Sequence, residues 1–390
     1  AVAIGWRSIV CASGRIRMAL ENVLKYEETV VFRLRALYKK YGYSQFKMSK
    51  FEEYDFYVRN KDFLISDRII TFNDTNGRLM ALKPDVTLSI VKNAAPLCGA
   101  TQKLYYNENV YRVSDGTHAF REIMQAGLEC IGDVDLYSEC EVVSLALRSL
   151  ATISDGYVLA LSHTGVASGL LADSGLDGRA CERVLACLGE RNPHGIREAF
   201  AGACGGEEAC ERLCVLSQMY GEPSEIFARL EPLCTNGESR AAVSELRSVC
   251  KALAAEGLAG RVRLDFSVAN NMDYYSGLVF RGFVGGVPAG VLSGGRYDRL
   301  MQRLGKKAGA IGFAVYLDQI ERLGGGRSPY DVDTLLLYSE EEDAARVLGA
   351  VGRLSAEGKV FAARAVPDGL RYRRLVKLAG GRIEVVEHMD

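Results

Sequence analysis

Residues 120–132 read FREIMQAGLECIG, and the alternation within that stretch decides the fold. Side chains of an extended strand point to opposite faces with a period of two. One face carries Phe120, Met124, Ala126, Leu128 and Cys130, which suit a core. The other carries Arg121, Gln125 and Glu129, with Gly127 between the last two. Polar residues on either side of a glycine leave a hollow with hydrogen-bonding walls. Glutamine offers a donor and an acceptor, and a carboxylate accepts from an ammonium. Taken alone, the same pattern also fits a solvated outer face. Residues 103–113 form a second strand-like run, with Tyr106, Glu108, Val110 and Arg112 on one face. An arginine there suits a carboxylate or phosphate held by two hydrogen bonds, although a surface arginine reads the same way. The loop Ser114–His118 joins the two runs, so an antiparallel pair is expected.

Working outward, Val23, Tyr26, Val30, Leu34, Leu37 and Tyr41 make a helical stripe over residues 21–41, closed by Gly42. Arg68–Phe72 and Leu79–Leu82 flank the turn-like Asn73–Gly77, a hairpin signal. Pro84 then suits the first turn of a helix running through Val91. Downstream, Asp135–Leu150 reads as a helix and Tyr157–Leu161 as a strand. From 166 to 261 Ala, Glu, Leu and Cys dominate, as expected of an inserted helical module. Strands are expected again at Val262–Ser267, Tyr274–Phe283 and Val287–Leu292. Gly294-Gly295 should lead into a helix from Tyr297, and Ala310–Leu323 should close the core. After a Gly324–Gly326 linker, residues 331–390 read strand, helix, strand, helix, strand. The class is therefore α+β: an antiparallel sheet flanked by helices, with a helical insertion and a small C-terminal α/β unit. The expected parts are an N-terminal extension (1–20), the first part of the core (21–165), the insertion (166–261), the second part of the core (262–325) and the C-terminal domain (327–390).

Composition narrows the function classes. The chain has 390 residues, 48% hydrophobic and 25% charged, with a formal net charge of -1. A dedicated nucleic-acid binder is usually more basic, at least in one patch. The C-terminal stretch 327–390 holds ten Lys/Arg against eleven Asp/Glu, so it is no basic surface overall, and the cluster Arg371, Arg373, Arg374 and Lys377 reads as a solvated helix face. Of the 11 cysteines, Cys181, Cys187, Cys204, Cys210, Cys214, Cys234 and Cys250 fall in or beside the helical stretch without a CxxC pair. That suits small buried side chains in a reducing cytoplasm, with no metal site expected. No apolar run is long enough to span a membrane. Neither a dinucleotide fingerprint nor a phosphate-binding P-loop occurs, and no cofactor is expected.

Five stretches in order carry a resemblance: LKPDVT (82–87), YRV with FREIMQAGLECIG (111–132), MDYYSG (272–277), SGGRYDRL (293–300) and IGFAVYLDQI (311–320). Over about residues 24–323 they resemble the class II histidyl-tRNA synthetase core. The C-terminal unit faintly resembles a shortened anticodon-binding domain. The resemblance implies a histidine pocket. Asp85, Thr87 and Gln125 would meet the α-amino group, Glu129 and Tyr275 would read the imidazole, and Tyr297 would line the site. Arg112 and Tyr274 complete the candidate set. Asp85 stands where the synthetases carry glutamate, which keeps the charge on a shorter arm.

The departures from the synthetases bear on activity. Activating an amino acid with ATP requires stabilisation of developing charge on the α-phosphate. The synthetase pattern Arg-Gly-Leu-Asp-Tyr-Tyr begins with an arginine where this chain has Asn270. The closing Gly-Leu-Glu-Arg ends with an arginine where this chain has Gln319. Two residues after Arg112 a glutamate is replaced by Ser114. Losing one such donor lowers rates roughly 10²–10³-fold. No catalytic residues are therefore expected. The retained amino-acid side resembles the synthetase-related regulatory subunits of ATP phosphoribosyltransferase. Those implied properties are a short catalytic partner subunit, a hetero-octamer built on a dimer core, and L-histidine feedback on the first step of histidine biosynthesis; tRNA is not an expected partner. A divergent histidyl-tRNA synthetase is the enzyme-class alternative, with Arg121 and Arg112 as its nearby cations. A synthetase-like nucleic-acid-binding module is the third reading.

Overall fold

The computed structural model describes residues 24–61, 64, 69–95, 99–113, 119–201, 206–269, 274–323 and 329–388. The N-terminal extension, the Ser114–His118 loop, the Asn270–Asp273 stretch and the Gly324–Gly326 linker lie outside them. Two compact units divide the chain at Leu323 and Gly324.

In the larger unit, helix α1 (Tyr26–Lys40) buries Val30, Val31, Leu34 and Tyr38, and Gly42 turns the chain with φ of 82°. Strand β1 (Ser44–Gln45) follows, then β2 (Phe51–Glu53), the short helix α2 (Tyr54–Arg59), β3 (Thr71–Asn73) and β4 (Leu79–Leu82). These last three strands form a small sheet in the order β2-β4-β3. Helix α3 (Val86–Asn93) starts after Asp85, which caps it by accepting from the Leu88 N–H at 2.8 Å. Pro84 thus precedes the cap rather than filling the first turn. The long strands β5 (Thr101–Val113) and β6 (Phe120–Gly132) pair antiparallel along their whole length. Next come α4 (Leu136–Ile153), capped by Asp135, and β7 (Tyr157–His163).

Among the described residues six α-helices then run between 164 and 255: α5 (Thr164–Ala172), α6 (Gly178–Gly189), α7 (Pro193–Ala199), α8 (Glu207–Ser217), α9 (Pro223–Leu230) and α10 (Gly237–Ala255), with the short strand β8 (Tyr220–Gly221) among them. Their apolar faces, including Cys210, Cys214 and Cys234, join the same core as the sheet. The chain returns through β9 (Val262–Asp265), β10 (Leu278–Val284), β11 (Leu292–Arg296), α11 (Asp298–Arg303), β12 (Gly309–Tyr316) and α12 (Leu317–Ile320). The main sheet has the order β1-β5-β6-β12-β11-β10-β7-β9-β8. Its pairs are antiparallel except β1 with β5 and β7 with β9. One face packs Ala126, Leu128, Cys130, Phe280 and Phe313 against α1, α4 and the inserted helices. The opposite face packs Leu104, Tyr106, Val110 and Ala310 against α3 and α11.

Two expectations on the returning strands are corrected. The strand expected over Val287–Leu292 begins only at Leu292, so Gly294 and Gly295 lie inside β11 rather than at a strand-to-helix junction. They are there because β11 is squeezed between β10 and β12. A Cβ on Gly294 would sit 2.4 Å from the Gly312 carbonyl oxygen and from Phe313 Cβ. Tyr274 and Tyr275 precede β10 instead of alternating along it, so they do not face opposite sides of a sheet.

The C-terminal unit is a four-stranded sheet, order β14-β13-β15-β16, with one described helix. It contains β13 (Val332–Tyr338), α13 (Ala344–Leu354), β14 (Val360–Ala363), β15 (Tyr372–Ala379) and β16 (Arg382–His388). The expected second helix is a strand. Gly380 and Gly381 both take positive φ, 57° and 79°, and close a two-residue hairpin that pairs β15 with β16. Arg373, Arg374 and Lys377 consequently alternate on a strand instead of lining a helix face. Among the described residues no helix is long and apolar enough to cross a membrane.

Candidate functional site

The eight residues singled out from the sequence, Asp85, Thr87, Arg112, Gln125, Glu129, Tyr274, Tyr275 and Tyr297, all line one cavity of about 350 Å³. Three layers of structure bring them together. Strand β6 presents Gln125 and Glu129 on the face away from the helical core. The cap of α3 supplies Asp85 and its first turn Thr87. The segments around β11 supply the tyrosines.

Glu129 sits at the centre and is 1% exposed. It accepts from the Thr87 hydroxyl at 2.9 Å and from the Tyr297 phenol. Its carboxylate lies over Gly312, its neighbour on β12, where a Cβ would come within 1.7 Å of Oε2. Gly312 therefore gives the Glu129 carboxylate its place. The space above Gly127 is taken by the ring of Tyr106, whose hydroxyl would lie 2.5 Å from a Cβ there. The glycine expected at this place from β6 alone is Gly127, but the one that accommodates Glu129 belongs to the strand alongside.

Burial pushes the Glu129 carboxyl up to about 8, against the opposing pull of hydrogen bonds from Tyr297 and Thr87. Burial also raises Asp85, opposed by the Leu88 N–H and the charge of Arg112. The charge of Asp85 adds to the difficulty of ionising Glu129. Glu129 is desolvated and has no cation among its partners, so a positively charged ligand would favour its ionised form. Arg112 donates from Nε to the Pro84 carbonyl at 3.1 Å and so ties β5 to the Asp85 corner.

Residues 274–277 and the SGGRYDRL stretch act as one device. Ser276 donates its N–H to the Arg296 carbonyl at 2.8 Å, and its hydroxyl accepts from Asp298 N at 2.9 Å. Asp298 also accepts from Ala310 N at 2.9 Å. Arg296 pairs with Asp298 at 2.8 Å and with the buried Glu139 of α4 at 2.6 Å. Gly295 leaves room for the Tyr275 ring, whose Cδ1 would lie 2.6 Å from a Cβ. These contacts fix Tyr275 and Tyr297 against the cavity, with the Tyr274 and Tyr275 rings edge to face at 4.8 Å.

Other lining residues were not singled out: Arg281, Ser293, Tyr316 and Gly312 among them. A signal existed for Arg281, the one charge inside the apolar run Leu278–Val284. Ser293 lies beside the phenols of Tyr275 and Tyr316 and interacts with both. Arg121 is exposed and is not among the cavity's lining residues. Gln319 is also not among them; its amide donates to Asp318 at 3.0 Å. Asn270 lies outside the described residues.

A mostly antiparallel sheet with a polar pocket on one face, bordered by the paired tyrosine and glycine motifs, defines a class II synthetase-like core. The histidyl-tRNA synthetase family model matches residues 15–320, and the chain belongs to that family. Among its relatives is an ATP phosphoribosyltransferase regulatory subunit from Acetivibrio thermocellus, 27% identical over 83% of this chain and 79% of the relative. A solved ATP phosphoribosyltransferase regulatory subunit/histidyl-tRNA synthetase from Bacillus halodurans superposes with a TM-score of 0.71 at 24% identity, covering 88% of this chain and 90% of that one. A chain of an ATP phosphoribosyl transferase (HisG:HisZ) complex from Thermotoga maritima gives 0.59 at 20% identity, covering 75% and 97%. At those identities the two structures bear on the fold.

Proposed function

We propose that the pocket binds free L-histidine and that the chain is a non-catalytic, histidine-sensing regulatory subunit of ATP phosphoribosyltransferase. In this reading it associates with a short catalytic subunit, in a hetero-octamer built on a dimer of this chain, and conveys feedback to the first step of histidine biosynthesis. The observation that carries the reading is the charge layout of the cavity. Two buried carboxylates, Asp85 and Glu129, share it with phenol and hydroxyl donors, and arginine stands near Asp85. An α-ammonium suits Asp85 with Thr87 and Gln125. An imidazole, with one N–H donor and one acceptor nitrogen when neutral, suits Glu129 and Tyr275. The relatives named as regulatory subunits support the partner.

Asn270 and Gln319 support the non-catalytic part, since both stand where the synthetase pattern has arginine. Without those donors the developing charge of adenylate formation lacks its stabilisation. The deciding experiment is co-purification with a short-form ATP phosphoribosyltransferase, assayed with and without histidine. A stable complex whose activity requires this chain and responds to histidine is expected. Histidine-dependent ATP–pyrophosphate exchange by the isolated protein would overturn the reading and favour a divergent synthetase.

A further inference from the structure

The cavity has a cationic wall that the motifs do not account for. Arg281 lies on β10, paired with Ser293 of β11 and Ala160 of β7. It shares a strand face with Val279; both line the cavity, as does Phe280 between them, whose side chain is buried in the helical core. Its direction is set by Gly290. A Cβ there would meet Arg281 Nε at 2.7 Å, Cγ at 3.0 Å and Cδ at 3.2 Å. The arginine stem therefore lies flat across a residue that has no side chain. Arg281 and Arg112 both act electrostatically on one phenol, Tyr316, which lines the same cavity. Among the described residues no ion pair ends on Arg281.

Two carboxylates and two guanidinium groups thus line one small cavity. That is the complement of a zwitterion with a further cationic or N–H-bearing group, and it leaves an anionic group to be placed. We infer that Arg281, together with Arg112, forms the subsite for the α-carboxylate of the bound amino acid, and that Gly290 exists to let Arg281 reach it. The inference rests on the reading of the pocket as a histidine site and adds the residue that distinguishes the free amino acid from its amine and amide relatives. Guanidinium is the group best shaped for a carboxylate, with parallel N–H donors in a planar fork.

Calorimetry of L-histidine and L-histidinamide against wild type, Arg281→Gln and Arg281→Lys tests it. A charge-assisted contact of this kind is worth roughly tenfold or more in affinity. Histidine should bind Arg281→Gln at least about tenfold more weakly, with partial recovery in Arg281→Lys. Histidinamide, which lacks the carboxylate, should bind wild type weakly and lose nothing further in Arg281→Gln. Gly290→Ala should weaken histidine in the same sense. Inorganic phosphate should compete with histidine in wild type; phosphate binding alongside bound histidine would mean a separate anion and overturn the inference. So would wild-type affinity for histidine in Arg281→Gln, or an equal loss for both compounds. Failure of wild type to bind either compound is a different result: it overturns the histidine pocket itself, and the carboxylate subsite falls with it.

Discussion

The two faces of β6 differ in what they bury. Toward the helices, Ala126, Leu128 and Cys130 pack among apolar neighbours such as Val142 and Phe313. Toward the cavity, Gln125 and Glu129 are buried just as deeply, yet the carboxylate has hydroxyl donors instead of a counter-ion. Successive residues of one strand therefore serve opposite ends. The helical side is filled by contacts the protein makes with itself. The cavity side keeps a desolvated carboxyl whose natural partner is not part of the chain. Stability and recognition are separated by side-chain parity, one residue apart.

The sharpest way to break that separation is to cut into the filled face. Leu128→Ala should destabilise the protein by about 2–5 kcal/mol, the range for emptying a buried leucine site. Denaturant titration measures the loss, and the folded fraction should keep its affinity for histidine. A large change in affinity would show that the two faces are not independent.

Gly312→Ala joins the faces on purpose. The added methyl would sit 1.7 Å from Glu129 Oε2 and 2.4 Å from the Leu128 carbonyl oxygen. Displacing both should cost about 1–3 kcal/mol of stability, the usual range for overpacking. Histidine binding should fall with it, read by calorimetry on the folded variant. Glu129→Gln touches the cavity alone. It should weaken histidine by roughly 10- to 100-fold, the worth of a hydrogen bond to a charged group. The sign of its stability effect is set by the raised carboxyl. A group whose folded-state pKa is raised above its unfolded value favours the fold below the unfolded value. That contribution is lost as pH rises toward about 8. The unliganded glutamine variant should therefore lose less stability than wild type between pH 5 and 8, by thermal melts across that window.

How much of this was legible in the sequence follows the same division. The alternation in residues 120–132 is local, so the core face and the pocket face of β6 could be read directly. Asp85 and the tyrosines came from motifs whose residues are close in sequence. Gly312, Arg281, Ser293 and Tyr316 reach the cavity only through the strand order β6-β12-β11-β10, which no periodicity reveals. The alternation along β6 points to Gly127 because Gly312 is remote from it in sequence. In the C-terminal unit the hairpin signal was present, since Gly380-Gly381 sits between alternating runs. The cluster of basic residues drew the reading toward a helix instead.

The smallest predicted effect concerns the proton that the cavity and ligand share. If Glu129 reads the imidazole, the complex holds one proton between the carboxyl and the ring, whichever of them carries it formally. Free histidine has an imidazole pKa of about 6.5, and the unliganded carboxyl is raised to about 8. Between those values the free protein and free ligand already hold one proton in total, on Glu129, so binding exchanges none. Below about 6.5 both groups are protonated and binding must release a proton. Above about 8 both are deprotonated and binding must take one up. Affinity should therefore peak between the two values and fall by up to about tenfold per pH unit on either side. Calorimetry in buffers of different ionisation enthalpy reads the proton count directly: release on the acid side, uptake on the alkaline side, and near zero between. In Glu129→Gln the alkaline limb should vanish, because the group responsible for it is gone. A profile that kept the alkaline limb in that variant would place the shared proton elsewhere in the cavity and separate recognition of the ring from Glu129.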